Sequence, residues 1–200
     1  MIKAVLFDLD NTLVDFMKMK TESCRAAITA MVDSGLMLNK EKAMKTLFEL
    51  YDKYGIEYNK IFQKLVFKIN KKIDYRILAA GINAYRKVQQ GFVEPYPNVV
   101  PTLIKLRENK IRLAIVSDAP KLKAWMRLVE LRLEHFFDFV VAFEDTRKKK
   151  PKPEPYKKAL KLLNIMPEDA IFVGDWPERD IKGAKALGIK TAACNYCRAV

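Results

Sequence analysis

The chain has 200 residues, half of them hydrophobic and 30% charged, enough for one packed core or a core with a smaller insert, and unlike a disordered chain. Lys and Arg number 37 against 24 acidic residues, a formal charge of +13 that raises anionic partners, from nucleic acid to phosphorylated metabolites, without choosing among them. Three cysteines (Cys24, Cys194, Cys197) are too few for a disulfide framework, and no window approaches the ~18 apolar residues of a membrane span.

The first apolar run, residues 2–7, is nearly continuous, as a strand buried on both faces requires. Asp8 and Asp10 end it too early for a signal peptide, so a soluble, cytoplasmic protein is expected. From Phe16 to Gly91 the pattern is helix after helix. Residues 21–34 close at Gly35, Asn39 caps 40–54, and 59–71 and 74–90 carry apolar residues at helical spacing. Four such helices make a small bundle. Glu94-Pro95-Tyr96-Pro97 marks the return. Helical patterns at 98–109, 120–131, 154–163 and 178–187 then alternate with strand-like runs at 111–116, 137–143, 170–173 and 190–193. Alternation of this kind predicts an α/β, Rossmann-like parallel sheet with helices on both faces. The expected domains are a core of residues 1–15 and 95–200 and a helical insert of residues 16–94.

Two strands end in carboxylates. The first runs into Asp8-Leu9-Asp10-Asn11-Thr12-Leu13, and the fourth into Gly174-Asp175, followed by Asp180. Singly, each aspartate reads as an ordinary cap. Jointly, at the carboxyl edge of a parallel sheet, they occupy the place where such sheets bind ligands. Two carboxylates ~4 Å apart repel by roughly 4 kcal/mol at an effective dielectric near 20, so a cluster of them calls for a cation or a shared proton. Oxygen ligands without His or Cys suit a hard ion, Mg²⁺ above all where a phosphate adds a ligand. At the same edge, Ser117-Asp118 places a hydroxyl and a helix start suited to an anion. The basic run Lys148-Lys149-Lys150-Pro151-Lys152-Pro153 is stiffened by its prolines and is able to hold one lysine at the site.

These segments resemble the four motifs of the haloacid dehalogenase superfamily, in its phosphatase branch: Asp8-Leu-Asp10-Asn-Thr-Leu, Ser117 closing a strand, Lys150-Pro-x-Pro, and Gly174-Asp175 with Asp180. Starting the third motif at Lys150 sets Tyr156 and Ala159 in the family register, whereas starting at Lys152 sets Lys158 at the aromatic position. The insert between the first and second motifs is similar to the family's helical C1-type cap. The resemblance implies Asp8 as nucleophile, Asp10 as general acid and base, and Ser117, Asp118 and Lys150 around the phosphate. It implies Mg²⁺ held by Asp8, the Asp10 backbone carbonyl and Asp175, with Asp180 orienting Lys150 or a metal-bound water. The implied partner is a small phosphorylated metabolite, such as a sugar or triose phosphate. Asp10 separates phosphatases from the dehalogenases of the superfamily, whose halide departs without a proton.

A phosphomutase of the same superfamily is the nearest alternative. A basic nucleic-acid-binding module, from a different class, is disfavoured by the strand-end aspartates, and a phosphoacceptor signalling domain by Asp10 and the insert. Cys194-Asn195-Tyr196-Cys197 is read as structural, His135 as a residue that packs or ends a helix, and Trp176 as part of the site rim. Many relatives continue through another strand and helix beyond the Gly188–Ala192 segment, so a minimal sheet or an edge covered by a partner is expected, and monomer and homodimer stay open. Residues 16–94 carry 15 basic and 8 acidic residues, so the charge excess is spread over insert and core alike.

Overall fold

A computed structural model of the chain describes residues 1–92 and 94–194. It forms two compact units, Met1–Phe16 with Glu94–Val200, and Met17–Val93.

In the first unit, among the described residues, strands β1 (Ala4–Phe7), β2 (Arg112–Val116), β3 (Phe139–Val141), β4 (Ala170–Gly174) and β5 (Lys190–Ala193) form one sheet in the order β3-β2-β1-β4-β5. Every pairing is parallel, which bears out the α/β reading. β1 is central and all four of its residues are buried, as the unbroken apolar run predicts. One apolar layer, including Val5, Leu103, Leu113, Leu128 and Leu133, covers one face of the sheet. A second, including Leu6, Val116, Tyr156, Leu160 and Phe172, covers the other.

In the second unit, helices α1 (Phe16–Asp33), α2 (Lys40–Tyr54), α3 (Ile61–Asn70) and α4 (Tyr75–Gln90) enclose a separate core that includes Ile28, Leu47, Leu65 and Ile77. Asn39 caps α2, its Oδ1 accepting the Lys42 N–H at 2.9 Å, and Asp74 caps α4 by accepting from Arg76 and Ile77. α1 begins at Phe16 and not near Thr21, because Met17 to Lys20 carry no breaker and Thr21 lies within the helix.

The remaining helices are α5 (Val99–Glu108), α6 (Lys121–Glu130), α7 (Phe143–Thr146), α8 (Pro153–Leu163) and α9 (Lys182–Lys185). Two expectations change here. The third strand is shorter than residues 137–143, because the Asp138 carboxylate accepts the Leu113 N–H at 2.9 Å before the ladder begins, and Phe143 already belongs to α7. The expected helix 178–187 is a wide π turn, Pro177–Ile181, followed by the single turn of α9. Asp180 Oδ2 accepts the Trp176 N–H at 3.0 Å, which ties the turn back on itself. No helix among the described residues is long and apolar enough to cross a membrane.

Candidate active site

Sheet register sets the site. Phe7 pairs with Ile115 on one side and Val173 on the other, so the residues just beyond, Asp8, Ser117 and Gly174-Asp175, leave three adjacent strands at one edge. The Asp8 N–H still donates to the Val173 carbonyl (2.9 Å) and the Ser117 N–H to that of Val141 (2.9 Å), which extends the ladder's rigidity into the site. After Asp8 the chain turns sharply. Asn11 takes a left-handed conformation (φ 61°) that asparagine tolerates, and its N–H donates to the Val14 carbonyl at 2.7 Å.

Lys150 joins the carboxylates. Its Nζ lies 2.5 Å from Asp8 Oδ1 and 2.8 Å from Asp180 Oδ1, and all three side chains are buried. Of the four lysines in the basic run it alone is buried, while Lys148, Lys149 and Lys152 are exposed. Asp118 Oδ1 accepts the Lys150 backbone N–H at 2.8 Å, so a residue expected at the phosphate also anchors the loop that carries the lysine. The Lys150–Pro151 peptide is cis. Burial pushes the Asp8 carboxyl upward from its ordinary value, with Lys150 pulling the other way. Burial would lower the Lys150 ammonium, but Asp8, Asp180 and Asp118 outweigh it and hold the group firmly charged.

Asp8, Asp175 and Asp180 each offer a carboxylate oxygen within 4.8 Å of the others. Such a cluster, with oxygen donors alone and one lysine to balance it, is a chemically sound seat for a hard divalent cation. Gly174 makes room for it: a Cβ there would lie 2.4 Å from Asp180 Oδ2 and 2.6 Å from Asp180 Cβ. The Asp10 carboxylate is not one of these three, although its charge also pushes Asp8 upward. Its Oδ2 is engaged by Arg127 of α6 at 3.0 Å. Ser117 is buried, and its Oγ accepts the Ala119 N–H at 3.1 Å, closing the turn into α6.

Sequence reasoning missed two arginines. Arg127 on α6 sits on Asp10, and Arg179 stacks on Trp176 (4.0 Å from guanidinium carbon to ring centroid) with its Nη1 3.6 Å from Asp118 Oδ2. A signal for the first exists: Arg127 falls among Ala124, Leu128 and Leu131 at i, i+3, i+4 and i+7 spacing, a charge on a face that is otherwise buried. Trp176 is half exposed beside the cluster. His135 lies in the single helical turn Glu134–Phe136, a helix end as expected, with its side chain exposed to solvent beside Glu134. Cys194 Sγ lies 3.7 Å from the Asn11 carbonyl oxygen, and the other half of the CxxC, Cys197, lies outside the described residues. A cavity of about 470 Å³, lined in part by Met1, Lys3, Lys110 and Ile165, opens at the amino ends of β1 and β2, the edge opposite the carboxylates.

Residues 5–194 match the family of haloacid dehalogenase-like hydrolases. This chain belongs to that family. A glyceraldehyde 3-phosphate phosphatase of Methanopyrus kandleri is 37% identical over 193 residues, which cover 96% of this chain and 83% of that protein. The pyrophosphatase PpaX of Bacillus cereus is 30% identical over 200 residues, covering 98% of this chain and 84% of its own. Among solved structures, a haloacid dehalogenase phosphatase from Thermococcus onnurineus superposes with a TM-score of 0.72 at 23% identity, covering 98% of this chain and 87% of that one.

Proposed function

We propose that this chain is a Mg²⁺-dependent phosphatase that hydrolyses a small phosphorylated metabolite through an aspartyl-phosphate on Asp8. The observation that carries the reading is the buried Asp8–Lys150–Asp180 chain at the carboxyl edge of the sheet, with Asp175 beside it. The relatives named as phosphatases support it, and they make a triose phosphate the first substrate to try.

The chemistry follows from the residues. Asp8 Oδ attacks phosphorus as the bond to the leaving oxygen breaks, and Asp10 gives that oxygen its proton. Asp10, now a carboxylate, takes a proton from water, whose oxygen displaces Asp8 and releases phosphate. Lys150 balances charge on Asp8 and on the transferring group, Asp180 holds Lys150, and Ser117 donates to a phosphoryl oxygen. Mg²⁺ held by Asp8, Asp175 and the Asp10 carbonyl would reduce the repulsion between an anionic nucleophile and an anionic ester. In this reading the helical unit is a cap that selects the leaving group.

The test is phosphate release from a panel of phosphorylated metabolites led by glyceraldehyde 3-phosphate. Asp8→Asn should keep the fold and lose turnover, and EDTA should silence the wild type until Mg²⁺ is returned. Turnover by Asp8→Asn, or full activity in metal-free buffer, would refute the corresponding part of the scheme.

A further inference from the structure

Arg127 is the one buried cation of α6. Its side chain is 10% exposed, between the fully buried Ala124 and Leu128. A guanidinium in that position is costly unless its charge is matched, and the arrangement around it is specific. Nη1 lies 3.0 Å from Asp10 Oδ2, while the guanidinium carbon stands 4.4 Å from the centroid of the Phe16 ring, itself buried. The ring packs against the guanidinium, and the guanidinium holds one oxygen of Asp10. Both contacts span a turn of only a few residues, from Asp10 through Asn11 at φ 61° to Phe16, whose N–H donates to the Val14 carbonyl at 2.9 Å.

We infer that Arg127 is a positioning residue for Asp10, holding its carboxylate in the orientation from which it exchanges a proton with the leaving oxygen and then with water. The inference rests on the phosphatase reading above. Lys150 and Asp180 do the corresponding work for Asp8. Asp10 lies on a turn with two side-chain torsions to order, and Arg127 with Phe16 supplies that order from a rigid helix. Displacing a proton-transfer group by about 1 Å is enough to cost on the order of 100-fold in rate. The prediction is therefore kinetic and specific to the steps that need Asp10.

The leaving group separates this role from a merely structural one. With p-nitrophenyl phosphate the phenolate departs without a proton, so transfer to Asp8 needs Asp10 little, whereas hydrolysis of the aspartyl-phosphate needs it as base. Single-turnover, acid-quenched reactions should show Arg127→Met forming phosphoenzyme from p-nitrophenyl phosphate within about threefold of wild type but losing it about 10- to 100-fold more slowly. With glyceraldehyde 3-phosphate, whose alkoxide needs the proton, both steps should slow. Arg127→Lys should recover part of the loss, and Phe16→Leu, which keeps the ion pair and removes the ring, should show the same pattern more weakly. If Arg127→Met does not fold, Arg127→Lys and Phe16→Leu carry the same split on their own. Equal slowing of both steps with both esters, or no slowing, overturns the positioning role alone. Failure to trap phosphoenzyme in the wild type overturns the underlying reading as well.

Discussion

The helical unit buries one charged side chain among its described residues, and the core unit buries a network of them. In the former, Lys20 runs its stem through the bundle and sets Nζ 4.5 Å from the Tyr51 ring centroid and 5.3 Å from that of Tyr85. Burial pushes the Tyr51 phenol and the Cys24 thiol upward, so the groups beside it stay neutral. In the core unit, Asp8, Lys150, Asp180 and Arg127 are all at least nine-tenths buried and held by ions of opposite sign. A ring face attracts a cation without offering a charge that titrates or reacts. Carboxylates offer both. The interior of the helical unit is thus built for packing, whereas the core unit concentrates its buried charge at one sheet edge.

The sharpest way to break this contrast is Lys150→Met, which keeps the stem and removes the charge. Asp8 and Asp180 would face each other with their shared cation gone, a loss of about 3–5 kcal/mol by analogy with other broken buried pairs. The sign with pH is fixed. Lys150 is what pulls Asp8 down against burial, so its removal raises the folded-state value of Asp8 further above that of the unfolded chain. Folded wild-type Asp8 already sits at about 8, so wild type and variant lose the advantage of a protonated carboxyl alike up to that pH, and the deficit should widen only above it, being larger at about pH 9 than at about pH 6. Denaturant melts followed by tryptophan fluorescence read this directly, because both tryptophans, Trp125 and Trp176, belong to the core unit. A variant as stable as wild type at about pH 9 would show that the network is not under the stress described.

The counterpart in the helical unit is Leu65→Ala. Leu65 is fully buried on α3, and truncation should cost about 2–5 kcal/mol through lost transfer energy and a cavity. Hydrogen exchange of peptides from α2 and α3 should accelerate accordingly, with a smaller shift of the tryptophan transition. Activity per folded molecule toward p-nitrophenyl phosphate should change far less than in Lys150→Met. A tryptophan transition displaced by the whole cost would mean that the two units unfold as one.

Much of this was legible in the residues. Unbroken apolar runs ending at Asp8 and Asp175 pointed to the parallel sheet and to the edge where its carboxylates gather, because a strand buried on both faces admits few polar residues before it ends. Lys150 was separable from its neighbours only through the family register that the resemblance implies, with an aromatic at Tyr156, and Tyr156 packs edge-on against Phe172 at 5.1 Å. What stayed hidden depended on partners distant in the chain. The Arg127–Asp10 pair spans 117 positions, and nothing local distinguishes Arg127 from the lysines earlier in α6 except the face it lies on. The π turn at Pro177–Ile181 was equally unreadable, since the pull of Asp180 on the Trp176 N–H comes from a side chain whose direction Lys150 helps to set.

The smallest effect probes the same division of the molecule at its surface. Asn39 caps α2 by accepting the Lys42 N–H, and Asn39→Ala should cost about 1 kcal/mol. The cap touches neither the interior of the bundle nor the charged edge, so it perturbs the helical unit without opening a cavity. If the units unfold separately, Asn39→Ala and Leu65→Ala should shift exchange in α2 and α3 in proportion to their costs, while the tryptophan transition responds to neither in that proportion. If they unfold together, both variants should fall on one line relating the two probes, with a slope near one. Two variants that differ several-fold in size and share no contact therefore fix the slope, and an intercept away from zero would reveal a local opening of α2 that the cap alone controls.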